Sequence, residues 1–236
     1  EIVVVDNASA DGSAAMVRAR FPAARLIANA GNPGFAAACN QGLAAAHPTA
    51  GYLVLLNSDA FPEPGALADL AGFLDRTPAA GAAGPRLLQP DGAPQPYAWG
   101  GDPTPAYLFR RAISQRLFRR HLHDWGSDAV RRVDWVSGAC VMVRRPAAAA
   151  AGPLDEGMFM YFEDNDWCRR MRSAGWEVWH YPPARVVHVG GASLARDPAA
   201  PSEYYRSLRY FYAKHYGRLA GALLAPLLLV YRRGVR

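Results

Sequence analysis

The first 56 residues alternate between short apolar runs and polar turns that lead into helices, and this order restricts the fold more than any other feature. Ile2 to Val5 is a continuous β-branched run, the pattern of a strand buried on both faces of a parallel sheet. Asp6 to Ser13 is a polar turn leading into a helix that ends at about Arg20. Arg25 to Ala28 reads as a second strand, Asn29 to Gly34 as a turn of Gly, Asn and Pro, Phe35 to Ala46 as an Ala-rich helix and Tyr52 to Leu56 as a third strand. The alternation predicts an α/β fold with a Rossmann-like, mostly parallel central sheet flanked by helices. Functional loops then leave the carboxyl ends of the strands, where Asp6, Asn7 and Asp59 fall.

Further along, Pro64 to Asp75 reads as a helix, and Pro85 to Pro105, rich in Pro, Gly and Asp, as a long loop of the kind that is functional or mobile. Tyr107 to His123 carries Phe109, Ile113 and Leu117 at helical spacing among five arginines, which predicts a basic amphipathic helix. Val133 to Val143 has strand character, Phe162 to Ser173 helical, and Glu177 to Tyr181 and Arg185 to Val189 read as two short strands. A helix from Glu203 to Tyr216 precedes an uncharged run, Leu219 to Tyr231, closed by Arg232 and Arg233. As a helix that run would cover only about 20 Å of a hydrocarbon layer about 30 Å thick, so residues 218–236 read as a membrane-surface tail rather than a span.

With 236 residues, 51% of them hydrophobic, the chain can bury a full core. The expected organisation is one domain over residues 1–217, in two halves at about 1–90 and about 91–217. The net charge of +6 is not spread along a groove: residues 203–236 hold seven basic residues and one acidic, and the rest of the chain balances at nineteen each. That location argues against a nucleic-acid partner. Cys39, Cys140 and Cys168 are widely spaced, which indicates neither a zinc site nor a disulfide framework and fits a reducing, cytoplasmic setting. The chain opens on Glu1 without a charged leader segment and reads as a fragment cut at a strand.

Three carboxylates, Glu163, Asp164 and Asp166, fall within four residues between Phe159, Tyr161, Phe162 and Trp167, where a helix is expected to begin. One acidic residue there would serve the helix dipole, but three repel one another in surroundings that raise a carboxylate pKa, which is how a general base is tuned. Asp59 alone would pass for a turn or cap residue, and His188, at the end of an apolar strand, for a structural histidine. Together they form a possible Mn²⁺ or Mg²⁺ site completed by phosphate oxygens. The Asn29 to Gly34 turn, at a helix start, could offer backbone N–H groups to phosphate or sugar.

Taken in order, Val4-Val5-Asp6-Asn7-Ala8-Ser9-x-Asp11-Gly12-Ser13, Asn29-x-Gly31-Asn32-x-Gly34-Phe35-Ala36, Leu56-Asn57-Ser58-Asp59, Trp135-Val136-Ser137-Gly138-Ala139 and Phe162-Glu163-Asp164-x-Asp166-Trp167-Cys168 resemble the inverting glycosyltransferases of family 2, in particular their rhamnosyltransferase-like branch. The resemblance runs from residue 1 to about 217 and implies a GT-A fold whose first strand would precede Glu1. It further implies that Asp59 closes a DxD-type metal motif whose first position is here the amide Asn57, and that His188 completes the metal site. Asp164 is implied as the catalytic base beside Glu163, with Asp166 as its competitor. Donor contacts are implied at Asp6, Asn7, Asn29, Asn32, Gly34, Asn57 and Ser58, and acceptor contacts at Gly138, Asp166 and Trp167.

The implied activity is metal-dependent transfer, with inversion, of a sugar from a nucleotide diphosphate donor. dTDP-rhamnose is the preferred donor, and the acceptor is a hydroxyl of a saccharide or lipid-linked saccharide at an anionic membrane surface. The competing reading is a non-catalytic saccharide-binding module or inactive fragment. A nucleotidyltransferase would need a basic phosphate loop after its first strand, and the only lysine is Lys214.

Overall fold

The computed structural model describes residues 1–190, 200–217 and 219–220. Gly191 and the tail from residue 221, with most of the expected apolar run and Arg232 and Arg233, lie outside the described residues. In chain order the elements are β1 (Val3–Asp6), α1 (Ser13–Arg20), β2 (Arg25–Ala28), α2 (Phe35–Ala45), β3 (Tyr52–Leu56), β4 (Ala60–Pro62), α3 (Ala66–Arg76), β5 (Ala80–Leu88), β6 (Trp99–Gly100), α4 (Pro105–Phe118), β7 (Arg131–Arg132), β8 (Trp135–Val136), β9 (Cys140–Arg144), α5 (Arg145–Ala151), α6 (Glu163–Ser173), β10 (Glu177–His188) and α7 (Ala200–Tyr216). Two compact units form, one from Glu1–Thr49, Leu154–Asp166 and Ala192–Arg236, the other from Ala50–Pro153 and Trp167–Gly191.

In the first unit β1 and β2 pair in parallel, with Val3 opposite Arg25 and Asp6 opposite Ala28. Burial of β1 on both faces is not found: Val3, Val4 and Val5 are each half-buried, because the strand bonds a single neighbour in a two-stranded sheet. The segment before α6 is tied to α2. Asn40 Nδ2 donates to the Leu154 carbonyl at 2.9 Å, and the Leu154 N–H donates back to Asn40 Oδ1 at 2.8 Å. Helix α7 buries Leu208, Phe211 and Tyr212, with Phe211 against Phe162 at a ring separation of 5.7 Å.

The second unit holds a six-stranded sheet in the order β3-β9-β5-β10-β4, with β7 also paired to β10. The expectation of a mostly parallel sheet is corrected here. Only β5 and β10 run parallel, while β9 enters antiparallel between β3 and β5, and β4 and β7 pair antiparallel with β10. The strand-helix alternation that predicts parallel strands stops at β3, and later strands return by other routes.

Strand β5 replaces the first part of the expected loop, with Pro85 inside it opposite Tyr181. Its Ala and Gly residues carry no strand signature, yet close packing requires them. A Cβ on Gly81 would lie 2.7 Å from Trp176 Cβ, and one on Gly84 would lie 2.7 Å from Val136 Cβ. The two expected short strands are one, β10, whose register slips between Tyr181 and Arg185 where Pro182 and Pro183 offer no N–H. Helix α3 covers this sheet with Leu70, Phe73 and Leu74, at helical spacing, against Ala80, Ala83, Met142 and Ala184. Among the described residues no helix is long and apolar enough to cross a membrane.

Candidate active site

In the second unit, β4 is the element that sequence reasoning missed and the one that assembles the site. Its antiparallel register sets Ala60 opposite His188, and the Val189 N–H donates to the Asp59 carbonyl at 3.0 Å. Asp59 Oδ1 therefore comes to lie 3.3 Å from His188 Nε2. Asn57 Nδ2 is 3.4 Å from the same nitrogen, and the Asn57 N–H donates to the Ala139 carbonyl at 2.9 Å, beside buried Gly138. Ser58 is exposed. On the other side of the ring, His188 Nδ1 lies 2.9 Å from Gln95 Oε1. An amide oxygen only accepts, so Nδ1 carries the proton in this contact and Nε2 is the nitrogen turned toward Asp59 and Asn57. Gln95 belongs to the stretch read as a functional loop, but nothing in its type or spacing singles it out.

These donors suit a hard divalent cation. Among the described residues no three His, Cys, Asp or Glu side chains form a metal cluster, so one carboxylate and one imidazole would leave the remaining positions to water and phosphate oxygens. That division is the usual one for Mg²⁺ or Mn²⁺ on a nucleotide diphosphate.

In the first unit the asparagines of the two glycine-bearing turns bond to one another. Asn7 Nδ2 donates to the Gly34 carbonyl at 3.2 Å and to Asn32 Oδ1 at 3.3 Å, while Asn29 Nδ2 donates to Asn7 Oδ1 at 2.9 Å and to Gln41 Oε1 at 2.8 Å. Asn32 Oδ1 also accepts the Gly34 N–H at 3.0 Å. These carboxamides fix the loops at the carboxyl ends of β1 and β2. Gln41, the seventh residue of α2, is a member of the network that sequence reasoning passed over. Asp6 Oδ2 accepts the Ser9 N–H at 3.1 Å, which holds the turn after β1.

The acidic segment is anchored to the same turn, since the Phe35 N–H donates to the Phe159 carbonyl at 2.8 Å. Tyr161 and Phe162 then take left-handed conformations, with φ of 71° and 69°, immediately before α6. Two consecutive bulky residues in that region are strained and persist only where packing holds them. Phe162 does pack on Tyr204 and Phe211, and Ser207 Oγ donates to the Met160 carbonyl at 2.8 Å.

The three carboxylates have three different environments. Glu163 is 5% exposed, and burial first, then the Asp164 charge, pushes its carboxyl well above the usual range. Cys39 on α2 feels the same pair: burial, then Glu163 and Asp164, raise its thiol to about 12. Asp166 is fully buried, with Oδ1 2.7 Å from both Lys214 Nζ and His215 Nε2 of α7. Asp164 alone of the three is partly open to solvent. Trp167 is 2% exposed and its indole N–H donates to the Gly152 carbonyl at 2.8 Å. The structure thus places the expected acceptor residues Asp166 and Trp167 in the interior, engaged in holding the fold.

Residues 1–138 match the family model described as glycosyl transferase family 2. Over 96% of its length the chain is 31% identical to an N-acetylglucosaminyl-diphospho-decaprenol L-rhamnosyltransferase of Mycobacterium tuberculosis, of which it spans 78%. The chain belongs to glycosyl transferase family 2. This family 2 glycosyltransferase shares its fold with GalNAc-T7, solved with UDP, GalNAc and Mn²⁺, at a TM-score of 0.57 and 16% identity over 80% of the chain. It also shares it with the mannosyltransferase PcManGT from Pyrobaculum calidifontis, solved with GDP-Man and Mn²⁺, at a TM-score of 0.52 and 20% identity over 98% of the chain. It spans 37% of the first of these proteins and 70% of the second. The GT-A fold expected from the motifs is thereby established.

Proposed function

We propose that this glycosyltransferase moves L-rhamnose from dTDP-rhamnose to a hydroxyl of a lipid-linked saccharide during cell-surface polysaccharide synthesis, at the cytoplasmic face of the plasma membrane. The observation that carries the reading is the 31% identity, along nearly the whole chain, to a rhamnosyltransferase whose acceptor is a diphospho-decaprenol-linked N-acetylglucosamine. Asp164 acts as the base. It is the carboxylate of the acidic turn that solvent reaches, whereas neighbouring Glu163 is buried and shifted toward its neutral form.

Asp164 takes the proton of the acceptor hydroxyl. The freed oxygen bonds to the anomeric carbon as the bond from that carbon to the diphosphate breaks, its electron pair leaving with the diphosphate, and the configuration inverts. Asp59 and His188 would hold a divalent cation, which when bound offsets charge on the diphosphate. Gln95 steadies the imidazole through Nδ1, and the linked asparagines keep the donor loops in place.

The test is transfer of labelled rhamnose from dTDP-rhamnose to a short-chain diphospholipid-linked N-acetylglucosamine in Mn²⁺, beside a panel of other nucleotide sugars. Rhamnose transfer that disappears in Asp164→Asn, with donor binding retained, is expected. Transfer of a different sugar would discard the donor assignment, and full activity of Asp164→Asn would remove the base.

A further inference from the structure

Helix α4 turns an apolar stripe toward solvent. One flank, Tyr107, Arg111, Ser114 and Gln115, meets protein: Tyr107 Oη lies 2.9 Å from His123 Nε2, Gln115 Nε2 donates to Tyr97 Oη at 3.2 Å, Ser114 Oγ donates to the Arg120 carbonyl at 2.8 Å, and the Arg111 guanidinium lies over the Tyr97 ring at 5.5 Å. The opposite flank carries Phe109, Ile113 and Leu117 at successive helical turns. Phe109 is 67% exposed and Leu117 72%, Phe118 at the helix end is 65% exposed, and no residue of the helix is buried. An apolar stripe on a helix normally faces the core, and one that faces water marks an interaction surface.

Charge identifies what covers it. From Pro103 to His123 the chain has five arginines and no acidic residue. Arg110, Arg116, Arg119 and Arg120 are exposed, without an ion-pair partner among the described residues, and Arg110 and Arg116 fall on either side of the stripe. Two such faces from two copies of the chain would bring eight unpaired cations together, which disfavours self-association through this helix. Fourteen residues cover about 21 Å, too little to span a bilayer but enough to lie in its interface.

We infer that α4 seats the protein on an anionic lipid surface, with Phe109, Ile113 and Leu117 entering the boundary of the acyl chains and the exposed arginines meeting lipid phosphates. The inference rests on the reading that the acceptor is lipid-linked and names the element that would bring the protein to it.

Flotation with phosphatidylglycerol vesicles tests it, against phosphatidylcholine vesicles and at low and high salt. The wild type is expected to float with the anionic vesicles and to release at high salt. The triple variant Phe109→Ser, Ile113→Ser and Leu117→Ser is expected to bind at least about tenfold more weakly, because buried apolar area and surface charge act together in such helices. Unchanged melting temperature and unchanged transfer to a water-soluble acceptor would confirm that the variant is intact. Equal flotation of variant and wild type, or flotation indifferent to lipid charge, overturns the inference. So does a wild-type dimer that the triple substitution converts to monomer, which would assign the face to a second copy. A wild type that floats as expected but transfers to no lipid-linked acceptor supports the docking face and removes the acceptor reading.

Discussion

Gly34 and Phe159 are in closest backbone contact: a Cβ on Gly34 would stand 2.7 Å from Phe159 Cδ2 and 2.8 Å from the Phe159 carbonyl oxygen. Gly34 has φ 98° and ψ 170°, a conformation that is essentially reserved for glycine. The next amide, that of Phe35, bonds the same carbonyl. The turn that starts α2 and the segment that delivers the acidic residues are therefore one rigid piece.

Gly34→Ala is accordingly expected to cost about 2–4 kcal/mol, from backbone strain and overpacking together. Gly31→Ala, in the same turn with open space around the added methyl, should stay within about 0.5 kcal/mol of wild type. Denaturant melts of the two variants check this, and equal stabilities would show that the contact is not rigid.

Much of this arrangement was legible beforehand where local pattern decides structure. The turns at Asp6 and Asn29, the third strand at Tyr52 to Leu56 and the helix from Glu163 all follow from periodicity and turn chemistry. Strand β5 did not, because alanine and glycine are depleted in strands, and Gly81 and Gly84 are required there by the close approach of Trp176 and Val136. Strand β4 is three residues long and gains its meaning from pairing with a partner far along the chain. The acidic trio was found as a group, but its division into a buried acid, a carboxylate that solvent reaches and an anchor depends on α7 and on burial, which spacing does not encode.

Asp166→Asn separates anchoring from chemistry. With the charge removed, Lys214 keeps Asp155 at 2.6 Å but loses its ion pair with buried Asp166, so a loss of about 2–4 kcal/mol is expected from breaking that buried pair. Asp164→Asn should melt like wild type and not turn over. If Asp166→Asn were inactive yet as stable as wild type, Asp166 and not Asp164 would be the better candidate for the base.

Gln95 is a positioning residue for His188, and removing it should weaken metal affinity about 10- to 100-fold, as loss of an outer hydrogen bond to a ligating histidine commonly does. In melts with Mn²⁺ and a nucleoside diphosphate, the wild type should gain stability as ligand is added, Gln95→Ala should need more Mn²⁺ for the same gain, and Asp59→Ala and His188→Ala should show almost none. A full response in Asp59→Ala would move the cation elsewhere. Stripping the metal with a chelator should erase the wild-type response.

Glu163 gives the fold a pH dependence whose sign follows from its environment. Burial, reinforced by the Asp164 charge, raises its folded-state pKa well above the ordinary 4.5, so between those two values the native protein holds a proton that the unfolded chain has released. Stability therefore falls as pH rises through that window, and the contribution of the neutral acid is complete only below the ordinary value. Glu163→Gln keeps the shape and the neutral state at every pH, which should flatten this part of the profile and leave the variant more stable than wild type at alkaline pH. Urea melts at a series of pH values from acid to alkaline compare the two directly. Parallel profiles for the two proteins would mean that Glu163 is already ionised in the native state and that its orphaned Oε2 finds a partner in solution.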